Sequence, residues 1–287
     1  MSLRLIFCLV ACLVAATHAT KPDYAERNLK TISDIYDITV YPRNVPIIVN
    51  GSAAVPPGLF NEKAVGRVSP VGNFSGFEDS IEYFFSLAPV PQSNPRAAAI
   101  VKAEVVEFSS ACPEVAASLV WLYTGVVDEN SDKKDENFAV LKQMAFWRFD
   151  EEGRVLKYDA IIPNLSAWRD TFFGDLASDP AVQAESIQQI CGAAQRRCTG
   201  ANAQYDNVED CISELSQKPV GVFSEAWGDT VVCRAIHIIL TEARPDVHCA
   251  HVGPDGGGKC IDTSYAAKYT DDESLFGEPV GTTFKCP

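Results

Sequence analysis

Eight cysteines, seven of them after residue 190, limit what this chain can fold into more than any other feature. They are Cys112, Cys191, Cys198, Cys211, Cys233, Cys249, Cys260 and Cys286. Two more, Cys8 and Cys12, fall in an N-terminal segment ordered like an export signal. Arg4 comes first, residues 5–16 are apolar, and Thr17-His18-Ala19 supplies the small-residue cleavage site. The apolar run is too short to anchor in a bilayer. The expectation is a signal peptide over residues 1–19, cut after Ala19, and an exported chain with no membrane anchor. In an oxidising compartment an even set of cysteines predicts a disulfide framework. Spacing leaves the connectivity open among on the order of a hundred pairings. If all eight pair within one chain, Cys112 must reach a cysteine of the C-terminal region and pin the two halves together.

Charge narrows the partners. The chain carries 24 Lys+Arg against 38 Asp+Glu, a formal net charge of −14, and loses one more positive charge with Arg4. Such a surface repels phosphate backbones and anionic lipid. Nucleic acid and membrane are therefore not expected, which leaves an extracellular protein or a small hydrophobic ligand. Three sequons, Asn50-Gly-Ser, Asn73-Phe-Ser and Asn164-Leu-Ser, suit a glycoprotein.

Hydrophobic spacing supplies the elements. Leu29, Ile32, Ile35 and Tyr36 predict an amphipathic helix over 21–37. Four prolines make 41–57 irregular or short-stranded, and 58–76 reads as a glycine-spaced loop with one strand. Ile81, Phe84, Phe85 and Ala88 form the stripe of a second helix, closed by Pro89 and Pro91. Four strands follow at 98–108, 115–127, 138–149 and 154–162. The last two form a hairpin about 150–153, where Gly153 can take positive φ. Residues 128–136 are a charged, solvated connection. On the third of these strands Leu141, Gln143, Ala145, Trp147 and Phe149 share one face, and Met144, Phe146 and Arg148 the other. Large apolar groups on both faces predict a curved sheet that is covered or lines a cavity.

This order of elements, with YFFSLAP closing a helix and FWRFDEEGRVLKYDAIIPNL spanning a hairpin, resembles the NTF2-like superfamily, particularly its SnoaL-like branch, over about residues 22–176. The resemblance implies an α+β fold: a cone of curved antiparallel sheet wrapped by helices, with a pocket at its open end. It also implies cavity acids, histidines or tyrosines that move protons beside a carbonyl, work that needs a pKa shifted toward neutrality. Glu104, Asp159, Tyr123 and Tyr158 are the candidates here. No histidine lies in this half, a departure from many enzymes of the branch. Lys102 and Glu104 share a strand face with Ile100, Val106 and Phe108, and a salt pair at the cone rim is their structural alternative.

The division that follows is an NTF2-like domain at 20–176 and a small helical, disulfide-rich domain at 177–287. Asp179 caps a helix with Pro180 at its first position, Asn207 caps VEDCISEL, and a helix over 233–242 ends near Arg244-Pro245. This region resembles a cysteine-rich extension of secreted fungal proteins of unassigned activity, and no residue roles are carried over from it.

Every histidine outside the export segment lies here. His237 sits on the predicted helix, while His248 and His251 flank Cys249. Three imidazoles this close suit Zn²⁺ or Cu²⁺ with one position open. The spacing H-x10-H-x2-H matches no metal motif, and Cys249 is expected in a disulfide. The expectation is therefore structural imidazoles that hydrogen-bond the backbone of a disulfide-held loop, with no cofactor favoured. Gly253 to Cys260 misses the phosphate-binding G-x-x-x-x-G-K-[ST] loop, because Cys260 replaces the hydroxyl that binds Mg²⁺. Its glycines are expected to let the backbone turn beside two cystines. Trp121, Trp147, Trp168 and Trp227 read as core. The resulting picture is a secreted, disulfide-stabilised glycoprotein that binds without catalysis, an effector or cell-surface component of a microbial eukaryote. The alternatives are a cavity cyclase or isomerase acting on a small hydrophobic substrate, and a metal-binding protein using His237, His248 and His251.

Overall fold

The structure, a computed structural model, describes residues 23–91, 97–127 and 139–287. The export segment with its cut after Ala19, and the charged connection at 128–136, lie outside the described residues. The chain begins with α1 (Asp23–Thr39), whose Ile32, Ile35 and Tyr36 are buried as their spacing requires. Helix α2 (Val45–Asn50) follows where prolines suggested irregular chain. Pro46 lies in its first turn, where a missing N–H costs nothing. The segment 58–76 holds two strands rather than one, β1 (Phe60–Ser69) and β2 (Gly72–Ser75). Helix α3 (Phe77–Ile81) runs into a wider π-type turn at Glu82–Ser86.

The predicted four strands are β3 (Ala98–Cys112), β4 (Val115–Val126), β5 (Ala139–Phe149) and β6 (Val155–Ile161). The six strands make one sheet in the order β2-β1-β6-β5-β4-β3. Its pairs are antiparallel except β1 with β6, which is parallel. The architecture is α+β, a curved sheet with helices against its concave face. Trp147 is the centre of the core. It is fully buried, stacks on Phe84, meets Tyr36 edge-on, and its Nε1 donates to Ser118 Oγ at 2.8 Å. Gly66 is obligatory beside this core, since an added Cβ would lie 2.1 Å from the Tyr158 ring. At the hairpin, Gly153 has φ +83° and the Arg27 side chain lies over it.

The sheet is curved and its convex face is left partly open. Met144 and Phe146 are 42% and 49% exposed, whereas Leu141, Gln143, Ala145, Trp147 and Phe149 face inward. A C-terminal strap covers only part of this face. Phe284 of the strap packs on Phe146, Lys157 Nζ donates to Phe276 O at 2.8 Å, and Arg148 donates to Thr283 O at 2.6 Å. Cys112–Cys286 ties the strap to the far end of β3.

After β6, α4 (Leu165–Phe173) packs on the cone core through Leu165 and Trp168, and the chain then builds the helical cap: α5 (Pro180–Arg197), α6 (Val208–Leu215), α7 (Val231–Leu240) and α8 (Pro245–Val252). The strap itself carries α9 (Tyr265–Tyr269) and α10 (Asp272–Phe276). Asp179 Oδ1 accepts from Ala181 N and Asn207 Oδ1 from Asp210 N, so both caps act where the sequence placed them. Three disulfides bind the helical cap to itself: Cys191–Cys211, Cys198–Cys249 and Cys233–Cys260. The segment PDVHCAHV is helix α8, not a loop. Pro245 both stops the preceding turn and starts this one.

Candidate functional site

Closing the cap over the concave face leaves a chamber of about 820 Å³. Its inner wall is cone: Tyr36 from α1, Tyr83 from the π-type turn, and Leu141 and Gln143 from β5. Its outer wall is cap, with Ala235, Ile236, Ile238 and Ile239 of α7, and its rim carries Arg196, Arg197 and Glu242. The wall is mainly apolar with a few polar points. Gln143 Nε2 donates to Tyr83 Oη at 2.9 Å, which leaves that hydroxyl its own proton to donate. Tyr36 Oη and Trp168 Nε1 are buried with no hydrogen-bond partner. Burial drives the Tyr36 and Tyr83 pKa values far above the ordinary phenol range, so both are neutral donors. At the rim Glu242 pairs with Arg197 at 2.8 Å.

None of the four candidate catalytic residues lines this chamber. Glu104 is exposed to solvent, 3.3 Å from Lys102 Nζ and accepting from Tyr123 Oη at 3.1 Å. The pairing of β3 with β4 shifts between Ile100 and Lys102 and again between Val105 and Glu107. These irregularities change which face the alternation serves, so Ile100, Ala103, Val105 and Phe108 join the core while Lys102 and Glu104 meet water. Asp159 is bound by Arg67, which also reaches Asp272 of the strap at 3.0 Å. Burial raises the Asp159 pKa against the pull of Arg67, in a structural ion pair on the wrong face for the chamber. Tyr158 is fully buried and donates to Ser80 Oγ at 3.1 Å. Of the sequons, Asn50 and Asn164 are exposed and Asn73 is half-buried on β2.

The three histidines converge on the opposite side of α7. His237 Nδ1 lies 3.4 Å from His248 Nδ1, His251 Nδ1 lies 3.2 Å from His237 Nδ1, and His251 Nδ1 lies 3.3 Å from His248 Nδ1. The rings face one another and not the loop backbone. His248 and His251 stand three residues apart on α8, one face of one helix. Burial and the neighbouring imidazoles hold His237 well below its usual pKa and His251 at about 4. Glu82, absent from the sequence-derived candidates, completes the cluster from the cone: its Oε2 is 2.9 Å from His248 Nε2. Arg244 binds Glu82 through both Nε and Nη2, and Asp79 at 2.8 Å. Burial would raise the Glu82 carboxyl, but the His248 and Arg244 hydrogen bonds outweigh it and leave it lowered. The only hint in the chain is an acid set among Ile81, Tyr83, Phe84 and Phe85, and nothing local links it to histidines 166 residues away.

The glycine turn beside the cluster works with the opposite polarity to a phosphate loop. Its Gly253 and Pro254 carbonyls turn inward and accept from the fully buried Arg234 guanidinium at 3.0 and 2.9 Å. Gly257 has φ +52°, and an added Cβ would come within 2.6 Å of the Ala250 backbone. Cys233 and Cys260 lie near His237 but are joined as a disulfide and offer no thiolate.

Residues 164–263 match the model of the BfoA family C-terminal domain. The chain is 29% identical over 284 residues to the aurasperone B biosynthesis cluster protein A of Aspergillus niger, covering 93% of this chain and 90% of that protein. It is 29% identical over 282 residues to the bifonsecin B biosynthesis cluster protein A of Aspergillus brasiliensis, covering 92% and 91%. Among solved structures it is similar to a protein described as a SnoaL-like polyketide cyclase from a Jannaschia species. That match has 11% identity and a TM-score of 0.37, covering 53% of this chain and 96% of the other.

Proposed function

We propose that this chain is a secreted binding protein of a biosynthetic cluster, and that its chamber holds a small, mainly apolar ligand bearing oxygen acceptors. One observation carries the reading: a largely apolar cavity of about 820 Å³ whose wall residues include Tyr83, its hydroxyl held by Gln143 Nε2 at 2.9 Å with its own proton left to donate. A ligand carbonyl or hydroxyl would accept that proton, in a site where an unmade hydrogen bond costs about 1–3 kcal/mol. Size and lining match small-molecule sites generally. The names of the two Aspergillus relatives supply the context, since each belongs to a biosynthesis cluster for a defined small molecule. Binding is favoured over proton-transfer catalysis because the inner wall offers neutral phenols and an amide, while Glu242 at the rim is paired with Arg197. Four disulfides fit an oxidising compartment, and no helix among the described residues is long and apolar enough to cross a membrane. Export and glycans at Asn50, Asn73 and Asn164 belong to the same proposal.

The test is titration of the full chain with a fused-ring aromatic phenol such as 2-naphthol, followed by tryptophan fluorescence, since Trp168 lines the chamber. Saturable one-site quenching is expected. Ile239, 41% exposed at the chamber wall, can be enlarged without touching the core. Ile239→Trp should weaken binding about tenfold, the loss of roughly 1.4 kcal/mol. Non-saturable quenching, or equal affinity in I239W, would remove the chamber from consideration.

A further inference from the structure

We infer that His237, His248 and His251 form a metal site for a divalent ion of the zinc class, bound through their three Nδ1 atoms and oriented by Glu82. The geometry points there first. A tetrahedral ion with Zn–N bonds of about 2.0–2.1 Å holds its ligand nitrogens ~3.3–3.4 Å apart. The three Nδ1 separations are 3.2, 3.3 and 3.4 Å. The three nitrogens thus stand at the corners of one coordination triangle.

Hydrogen bonding cannot account for the same arrangement. Glu82 is an acceptor when ionised, so His248 Nε2 carries the proton and its Nδ1 presents a lone pair. That lone pair can accept one N–H, from His237 or from His251. The remaining contacts then set lone pair against lone pair, or proton against proton. Only a cation at the centre satisfies the three nitrogens together, and protonating the rings would crowd positive charges instead. The imidazoles are largely buried, with His248 and His251 5% and 8% exposed, so water does not relieve the conflict.

The surroundings support the same ion. A metal-bound imidazole characteristically donates its other nitrogen to a carboxylate, which fixes tautomer and ring orientation. Glu82 does this for His248, and Arg244 with two hydrogen bonds fixes Glu82. The ligand helices are held in turn: Cys233–Cys260 anchors α7 and Cys198–Cys249 anchors α8 between its two histidines. Three imidazoles leave a fourth position for water. Because the ligands belong to the cap and Glu82 to the cone, the ion would also strengthen the joint that closes the chamber.

The experiment uses the full secreted chain, stripped with EDTA and reloaded with Zn²⁺ or Co²⁺ alone. One Zn²⁺ per chain retained through gel filtration is expected, with the intense visible bands of tetrahedral Co²⁺. Glu82→Gln should weaken Zn²⁺ binding about 10–100-fold, and the double variant H237A/H251A should lose it. Substoichiometric Zn²⁺ on the wild-type chain, the faint spectrum of six-coordinate Co²⁺, or undiminished binding in folded H237A/H251A would each overturn the site. Wild-type stoichiometry and spectrum need no substitution, so they decide the matter even where a variant fails to fold. Naphthol binding is measured on metal-free protein, which separates this result from that of the chamber.

Discussion

The cone and the cap solve the same stability problem by different means. The cone buries a continuous apolar core running from Ile32 through Phe84 to Trp147 and Tyr158, and among the described residues no disulfide lies within it. The cap is a set of helices over two smaller clusters, one around Cys191, Leu215 and Val231 and another around Val232 and Ile236. A core that small contributes too little by burial alone, and cross-links take over. Three disulfides join the cap to itself, and Arg234, fully buried, gathers Asp229 and the Gly253 and Pro254 carbonyls. The sheet is packed into shape and the cap is tied into shape.

Reduction should separate the two most strongly. Removing a native disulfide costs about 2–4 kcal/mol, and the cap has three against a small core. With dithiothreitol at neutral pH, hydrogen exchange should speed throughout α5 to α8 while β4 and β5 stay protected. Uniform loss across both regions would mean that the sheet depends on the cap.

Next in size is Trp147→Ala, which removes the centre of the cone at a cost of about 3–5 kcal/mol. Chemical denaturation followed by far-ultraviolet circular dichroism should show the sheet transition move by that amount. A shift under about 1 kcal/mol, small for a core aromatic truncation, would contradict a cone held by packing.

Acid gives the smallest and most discriminating effect. In the cap, burial pushes the Asp229 pKa up, yet hydrogen bonds from Lys218 and Arg234 outweigh it and the value ends lowered. Such a group stabilises above its unfolded value near pH 4 and loses that contribution as pH falls through the lowered folded value. Asp159 on the sheet is raised, so its burial opposes folding at neutral pH and is relieved on acidification. Protection of α7 relative to β5 should therefore fall below about pH 4. An unchanged ratio there would erase the contrast.

Much of this molecule could be read along the chain because local physics specifies it. The stripe Ile32, Ile35, Tyr36, the caps Asp179 and Asn207, and the alternation through Leu141 to Phe149 depend on neighbours a few residues away. Prolines misled where they were read only as breakers, since Pro46 and Pro245 both open helices. Tertiary structure decided the rest. Pairing irregularities in β3 turned Glu104 to water, the strap claimed Asp159 through Arg67, and the cap made the chamber that neither half encloses alone. Three histidines in a cystine-rich segment were visible from composition, but their meeting at a single point was not. That convergence needs α7 packed on α8, and Glu82 reaching His248 across 166 residues, because distance in sequence carries no information about distance in space once a chain has folded.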